Sequence, residues 1–225
     1  MRGVFVTGTD TGVGKTAVAG AVCAALAARG QDVAAFKPVV TGTDEVSAWP
    51  PDHELLAAAA GGLDPGRVAP LTFGPPVSPH LAAELAGEPI EPAELLAAAR
   101  AAGAGADALV VEGVGGLLVP LTSGYLVRDF ARDLGLPLVV AARPGLGTIN
   151  HTLLTLEAAR AVGLSVRATV LTPWPADPDD VARSNRETIA RLGAIPVATL
   201  PSLPSAEPAA LAQAGAQLPL DDWLG

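Results

Sequence analysis

Between an apolar run and an Ala/Val-rich stretch lies Gly8-Thr9-Asp10-Thr11-Gly12-Val13-Gly14-Lys15-Thr16. A glycine-rich turn entering a helix lets successive backbone N–H groups curl around an anion, backed by the positive end of the helix dipole. In such a loop Lys15 reaches the β- and γ-phosphates of a nucleotide, and the Thr16 hydroxyl suits Mg²⁺. Five residues, not the usual four, separate Gly8 from Gly14, so the loop should be slightly enlarged. The pattern predicts a nucleoside triphosphate as ligand.

Lys15 and Lys37 are the only lysines in the chain; the other 12 of its 14 basic residues are arginines. Lys37 follows the apolar Val33 to Phe36, and in an open parallel sheet ligands sit beyond the carboxyl ends of strands. It is therefore expected to face the same crevice as the loop, where a compact, mobile ammonium is useful. Val110-Val111-Glu112-Gly113-Val114-Gly115-Gly116 sets a carboxylate at the end of a buried strand, before a glycine loop, in a position to hold Mg²⁺. Asp52 precedes a short helical segment and reads, from sequence alone, as its N-cap. Gly145-Leu146-Gly147-Thr148-Ile149-Asn150-His151 joins a strand to a helix, with Thr148 as a candidate cap and free N–H groups for an anion such as a carboxylate. The histidines at 53, 80 and 151 make no zinc set with cysteine. Ser78-Pro79 reads as a helix start, and Cys23, inside the first helix, as a packing group.

Elements that alternate between short apolar runs and Ala/Leu-rich stretches must position these residues. Strands are expected at 4–7, 33–36, 108–112, 138–142, 166–171 and 197–200. Helices are expected over 16–29 with Gly30 at the C-cap, and over 54–60, 79–86, 92–102, 126–134, 149–162 and 179–192. Residues 61–79 read as irregular, Pro173-Trp174-Pro175 as a turn, and the Pro/Ala-rich stretch after Pro201 has weak periodicity. The fold class expected is α/β: a single domain over 1–225, doubly wound, with a mostly parallel sheet, helices on both faces and a P-loop NTPase organisation.

Half of the 225 residues are apolar and 16% charged, which supports a large core and excludes global disorder. The net charge of −9 argues against nucleic acid or an anionic membrane surface as partner, so a phosphate must be held by a local device. One cysteine permits no intrachain disulfide, and no segment approaches the roughly 20 apolar residues of a membrane span. A cytoplasmic protein is expected.

Together the loop at 8–16, Lys37-Pro38-Val39 with Thr41-Gly42, Val111 to Gly116, and Gly147-Thr148-Ile149-Asn150-His151 resemble the dethiobiotin synthetase family, whose loop carries the same extra residue. The resemblance implies a homodimer that binds ATP or another nucleoside triphosphate, Mg²⁺, carbon dioxide and 7,8-diaminononanoate, and closes a cyclic urea through a carbamate and a carbamic-phosphoric anhydride. It implies Lys37, Lys15 and Thr11 as catalytic residues, and Thr16, Glu112 and, against the cap reading, Asp52 as metal ligands. Gly12, Val13, Gly14, Lys15, Thr16 and Ala17 would bind the nucleotide, with Thr172, Pro173, Pro201, Ser202 and Leu203 around its base. Lys37, Thr41, Gly113, Val114, Gly115 and Gly116 would contact the substrate. Gly147, Thr148, Ile149 and Asn150 would receive its carboxylate across the dimer interface.

Thr172-Pro173 stands where many members of that family carry an Asn-Asp pair that reads adenine, and a tyrosine expected near the substrate carboxylate is missing, with Ser184 or Asn185 as replacements. A partitioning or positioning switch ATPase with a deviant Walker motif is the competing reading. Its signature lysine would fall at position 10, which is Asp10. An amidoligase of the cobyrinate type needs a nucleophilic cysteine in a further domain, and Cys23 does not supply it.

Overall fold

The computed structural model describes residues 1–224. The chain opens with β1 (Gly3–Gly8), α1 (Lys15–Ala28), β2 (Val33–Phe36) and β3 (Val39–Thr41). Then come α2 (Asp52–Ala59), α3 (Pro65–Val68), β4 (Leu71–Phe73), α4 (Pro79–Ala86) and α5 (Pro92–Ala102). The middle holds β5 (Ala108–Glu112), β6 (Pro120–Thr122), β7 (Tyr125–Leu126), α6 (Val127–Leu134) and β8 (Leu138–Ala142). The remainder is α7 (Thr148–Arg160), β9 (Val166–Trp174), α8 (Asp180–Gly193), β10 (Val197–Pro201), α9 (Pro208–Gly215) and α10 (Leu220–Trp223).

Six strands form one parallel sheet in the order β10-β9-β8-β1-β5-β2, so all six end at one edge. Both faces are covered, which is why the strands are apolar without alternation. Val4, Val6, Val110 and Val139 point to a core shared with α1, α2 and α9, where Val22, Leu26, Leu55 and Leu211 pack. Phe5, Leu109 and Val111 point the other way, onto α5 and α6, where Phe130 meets Phe5 edge-on at 6.1 Å and stacks on Phe36 at 6.5 Å. Val140 and Leu171 meet Leu156 of α7 and Ile189 of α8. The doubly wound reading is thus the observed architecture.

Differences from the sequence expectation have tertiary causes. Residues 61–79 contain α3 and β4, and β4 pairs in parallel with β3 through Val39↔Leu71 and Thr41↔Phe73. Of the expected turn at 173–175, Pro173 and Trp174 are instead the end of β9, held in the sheet by the pairing of Trp174 with Pro201. Gly30 lies one residue past the C-cap Arg29, in the left-handed conformation with φ 78°. Helix α9 packs so closely on α1 that a Cβ at Gly215 would stand 2.0 Å from the Ala21 carbonyl oxygen. No helix among the described residues is long and apolar enough to cross a membrane.

Candidate functional site

The glycine loop joins β1 to α1 at the carboxyl edge of the sheet. Gly14, the helix N-cap, has φ 94° and makes no side-chain cap bond, so the first N–H groups of α1 remain available to a ligand. A Cβ there would also come within 2.6 Å of Thr172 Cγ2, so position 14 needs glycine on both counts. The Lys15 side chain folds back over the loop, and its Nζ donates to the Asp10 carbonyl at 2.8 Å. Burial, with the nearby Lys37 ammonium, lowers the Lys15 pKa to about 8 against the opposing pull of Glu112, Asp52 and Asp10.

Lys37 and Glu112 are 75 positions apart, yet they leave adjacent strands side by side, because Phe36 is in register with Val111. The buried Lys37 ammonium donates to Glu112 Oε1 and pairs with Asp52 Oδ2 at 2.8 Å. Thr16 Oγ1 stands 2.9 Å from Asp52 Oδ1 and 3.0 Å from Glu112 Oε1, so its one proton serves one carboxylate at a time. One ammonium is thus shared by two acids. Burial would lower Lys37, but Glu112 and Asp52 hold it above the ordinary lysine range. Burial would raise Asp52, but Lys37 and the Thr16 hydroxyl hold it below the usual carboxylate range. Complete burial pushes Glu112 up despite Lys37, and its Oε2 is buried without a partner.

These groups line one cavity of about 590 Å³, with Thr11, Gly12, Gly14 and Ala17 on the loop side and Thr41, Val114 and Gly115 opposite. Glu45, Trp49, Pro50 and the segment from Pro76 to Pro79 complete the wall. Asp52 is not the helix cap: Pro51 is, and the Asp52 carboxylate is committed to Lys37 and Thr16. Among the described residues no three His, Cys, Asp or Glu side chains gather as a metal set, so a cation here would need the Thr16 hydroxyl as well. Cys23 is fully buried, with its thiol pushed well above the ordinary range by desolvation, and packs in the core.

A family model described as an AAA domain matches residues 2–210. The ATP-dependent dethiobiotin synthetase BioD of Anaeromyxobacter dehalogenans (strain 2CP-C) is 47% identical over 193 residues, 85% of this chain and 86% of that protein. This chain belongs to the dethiobiotin synthetase family. The synthetase of the same name from Mycobacterium sp. (strain KMS) is 38% identical over 229 residues, covering 100% of this chain and 98% of that one. Among solved structures, the cell division ATPase MinD of Pyrococcus furiosus superposes with a TM-score of 0.58 at 17% identity, over 99% of this chain and 98% of that one, a likeness of fold.

The remaining residues singled out by resemblance to the dethiobiotin synthetase family fall in three places. Val13 is buried, Gly113 packs where a Cβ would meet Phe5 at 3.0 Å, and a Cβ on Gly116 would lie 3.7 Å from the Gly8 carbonyl; none of the three lines the cavity. Thr172 abuts Gly14, while Pro173, Pro201, Ser202 and Leu203 lie at and just beyond the ends of β9 and β10, off the cavity wall. Gly147 to Asn150 open α7 at the end of β8, also off the wall. There Gly147, at φ 88°, is the N-cap, and Thr148 is the first helical residue with its buried hydroxyl unpartnered, a correction to the cap expected at 148. The two Asn185 amide contacts go to the carbonyls of Pro144 at 2.9 Å and Gly145 at 3.1 Å, so its donors brace the loop and are not left for a substrate. Sequence reading missed Arg143, whose Nη2 lies 3.4 Å from the Thr11 carbonyl and 3.3 Å from that of Gly12. Its position at the end of β8 was the available signal.

Proposed function

We propose that the cavity converts 7,8-diaminononanoate, carbon dioxide and ATP into dethiobiotin, ADP and phosphate; the relatives' names, ATP-dependent dethiobiotin synthetase, support the use of ATP and the product. One amine attacks carbon dioxide and loses a proton, giving a carbamate. A carbamate oxygen then takes the γ-phosphoryl group, releasing ADP and forming a carbamic-phosphoric anhydride. The second amine attacks the carbonyl carbon, phosphate leaves, and loss of a proton gives the cyclic urea.

The observation that carries this reading is the meeting of Lys37 with the phosphate-loop residue Thr16 through Asp52 and Glu112, on a wall shared with Thr41 and Gly115. Lys15, Lys37 and Thr11 would act on the transferred group, where positioning and electrostatics supply most of the rate. Thr41 and the Gly113 to Gly116 loop would hold the diamine and carbamate, and Thr172 with Pro173 and Pro201 to Leu203 would flank the base. A divalent cation fits Thr16, Asp52 and Glu112, because the hydroxyl is bracketed by two carboxylates and Glu112 Oε2 is buried without a partner. When bound there, Mg²⁺ supplies positive charge to the β- and γ-phosphates.

The start of α7 would receive the substrate carboxylate in the partner's cavity of a homodimer. Two features support this: the segment does not line its own cavity, and the preceding Leu146 is 99% exposed. A cytoplasmic setting suits the nucleotide and small-molecule substrates.

The test is mass-spectrometric detection of dethiobiotin from 7,8-diaminononanoate, bicarbonate, Mg²⁺ and ATP, with CTP and GTP in parallel. Triphosphate-dependent product is the expected result, and the parallel reactions read base preference. Hydrolysis of ATP without product would overturn the ligase reading in favour of a switch ATPase.

A further inference from the structure

The cavity's own charges nearly cancel. Two ammoniums, Lys15 and Lys37, stand against three carboxylates, Asp52, Glu112 and the wall residue Glu45, and the whole chain carries −9. A triphosphate therefore meets no net attraction from these five side chains, and the loop must be helped from elsewhere. Strand β8 lies beside β1 with Gly8 in register with Ala141, and the Thr9 N–H continues the pairing to the Ala141 carbonyl at 3.0 Å. The residues just past β8 consequently leave the sheet at the height of the loop.

We infer that Arg143 is a positioning residue for the phosphate loop: its guanidinium holds the Thr11 and Gly12 carbonyls from outside and turns their peptide N–H groups toward a bound triphosphate. The inference rests on the nucleotide reading of the loop. Nη2 lies 3.4 Å and 3.3 Å from the two carbonyl oxygens, and a Cβ on Gly12 would come within 3.2 Å of the same nitrogen. In a trans peptide the N–H points opposite to the C=O. Fixing these two carbonyls toward the guanidinium fixes the N–H groups of Gly12 and Val13 on the other side. A cation on each carbonyl also polarises its peptide group, which strengthens the N–H as a donor.

Arg143 is exposed, and the ion pairs among the described residues all lie elsewhere, so its guanidinium is in no ion pair beside a loop that itself carries the Asp10 carboxylate. Its backbone is fixed too, since the next two carbonyls, of Pro144 and Gly145, are held by Asn185. The loop is thereby tied through residues 143–145 to α8.

The experiment compares the native chain with Arg143→Gln and Arg143→Lys. Calorimetry measures binding of the β,γ-methylene analogue of ATP with Mg²⁺ at low and moderate salt, and steady-state assays give KM for ATP and kcat. Arg143→Gln should weaken analogue binding about tenfold at low salt, since removing one nearby unit charge is worth roughly that factor near a surface. The gap should narrow as salt rises, because the group is exposed. The loss should fall on KM more than on kcat. Arg143→Lys should recover most of it, because a single nitrogen makes both contacts. Binding of the Gln variant within twofold of native would overturn the inference, as would equal losses in the Gln and Lys variants with unchanged melting temperature. Failure of the native chain to bind the analogue would overturn the nucleotide reading itself, and the inference with it.

Discussion

Replacing Lys37 with methionine keeps most of the buried stem and removes the ammonium shared by Glu112 and Asp52. Breaking a buried ion pair from one side costs about 3–5 kcal/mol. Asp52 is 41% exposed, so its share is discounted for solvent screening, and a deficit of about 3 kcal/mol at pH 8 follows, nearly all from the buried Glu112. For a chain of this size that lowers the melting temperature by about 6–12 °C. The deficit should depend on pH. Glu112 already stands above the usual carboxylate range and rises further once the ammonium is gone. A group whose folded-state pKa is raised gives its full stability below the unfolded value and loses it as pH rises through the folded one. Asp52 is the opposite case in the native chain: held low by Lys37, it contributes above its unfolded pKa and loses that contribution in acid. The Glu112 effect shrinks the difference between native and variant as pH falls from 8 to 5.5, whereas the Asp52 contribution disappears only in stronger acid, below the ordinary carboxylate range. The Lys37→Met/Glu112→Gln double variant, with no uncompensated buried charge, should recover about half of the loss. Urea and thermal unfolding of the three proteins without nucleotide, at pH 5.5 and pH 8, is the assay. A deficit identical at both pH values, or a double variant less stable than the single one, would refute the reasoning.

Glu112→Gln removes one charge from the proposed cation site and should raise the Mg²⁺ concentration for half-maximal product formation by tenfold or more, on the order of 1.4 kcal/mol in metal affinity; a metal titration reads this directly. Lys15, with a pKa near 8, is mostly charged at pH 7 and mostly neutral at pH 9, and an anion favours the ammonium. Nucleotide affinity should therefore fall as pH rises through about 8 and should lose that step in Lys15→Gln, as followed by calorimetry. Gly14→Ala combines a left-handed φ with a contact at 2.6 Å to Thr172 Cγ2. It should cost about 2–4 kcal/mol in unfolding free energy and most nucleotide binding. Adding Thr172→Ser, which deletes that methyl, should return part of both, while no recovery in chemical denaturation would assign the whole cost to the backbone.

What the sequence revealed of the site is what lies in continuous segments. The glycine loop declares itself because the proposed anion site is built from consecutive peptide groups, and Lys37 and Glu112 stand out because they lie at the carboxyl ends of apolar strands. Asp52 was misread because a carboxylate at a helix start serves a cap or an ion pair equally well until the position of Lys37 is known. The pairing of β3 with β4 escaped notice because three-residue strands joined over thirty positions leave no local period. Helix α9 was obscured by its composition: Gly215 weakens the helical signal and is there because the Ala21 carbonyl leaves no room for a Cβ. Arg143 and Asn185 were underestimated or misassigned because their work is done on main-chain carbonyls, which a sequence does not mark.

The scarcity of lysine gives the chain an unusual reactivity toward acylating and reductive-alkylation reagents. Its two side-chain amines both face the same cavity, and they differ sharply as nucleophiles. Lys37 is locked as an ammonium between two carboxylates and has no lone pair to offer. Lys15, near pKa 8, is a free amine for much of the time in mildly alkaline solution. An amine-directed probe small enough to enter should therefore modify a single side chain, at the phosphate loop, and a bound triphosphate should shield it. The side chain proposed to bind the anion would double as a built-in label for occupancy of the site.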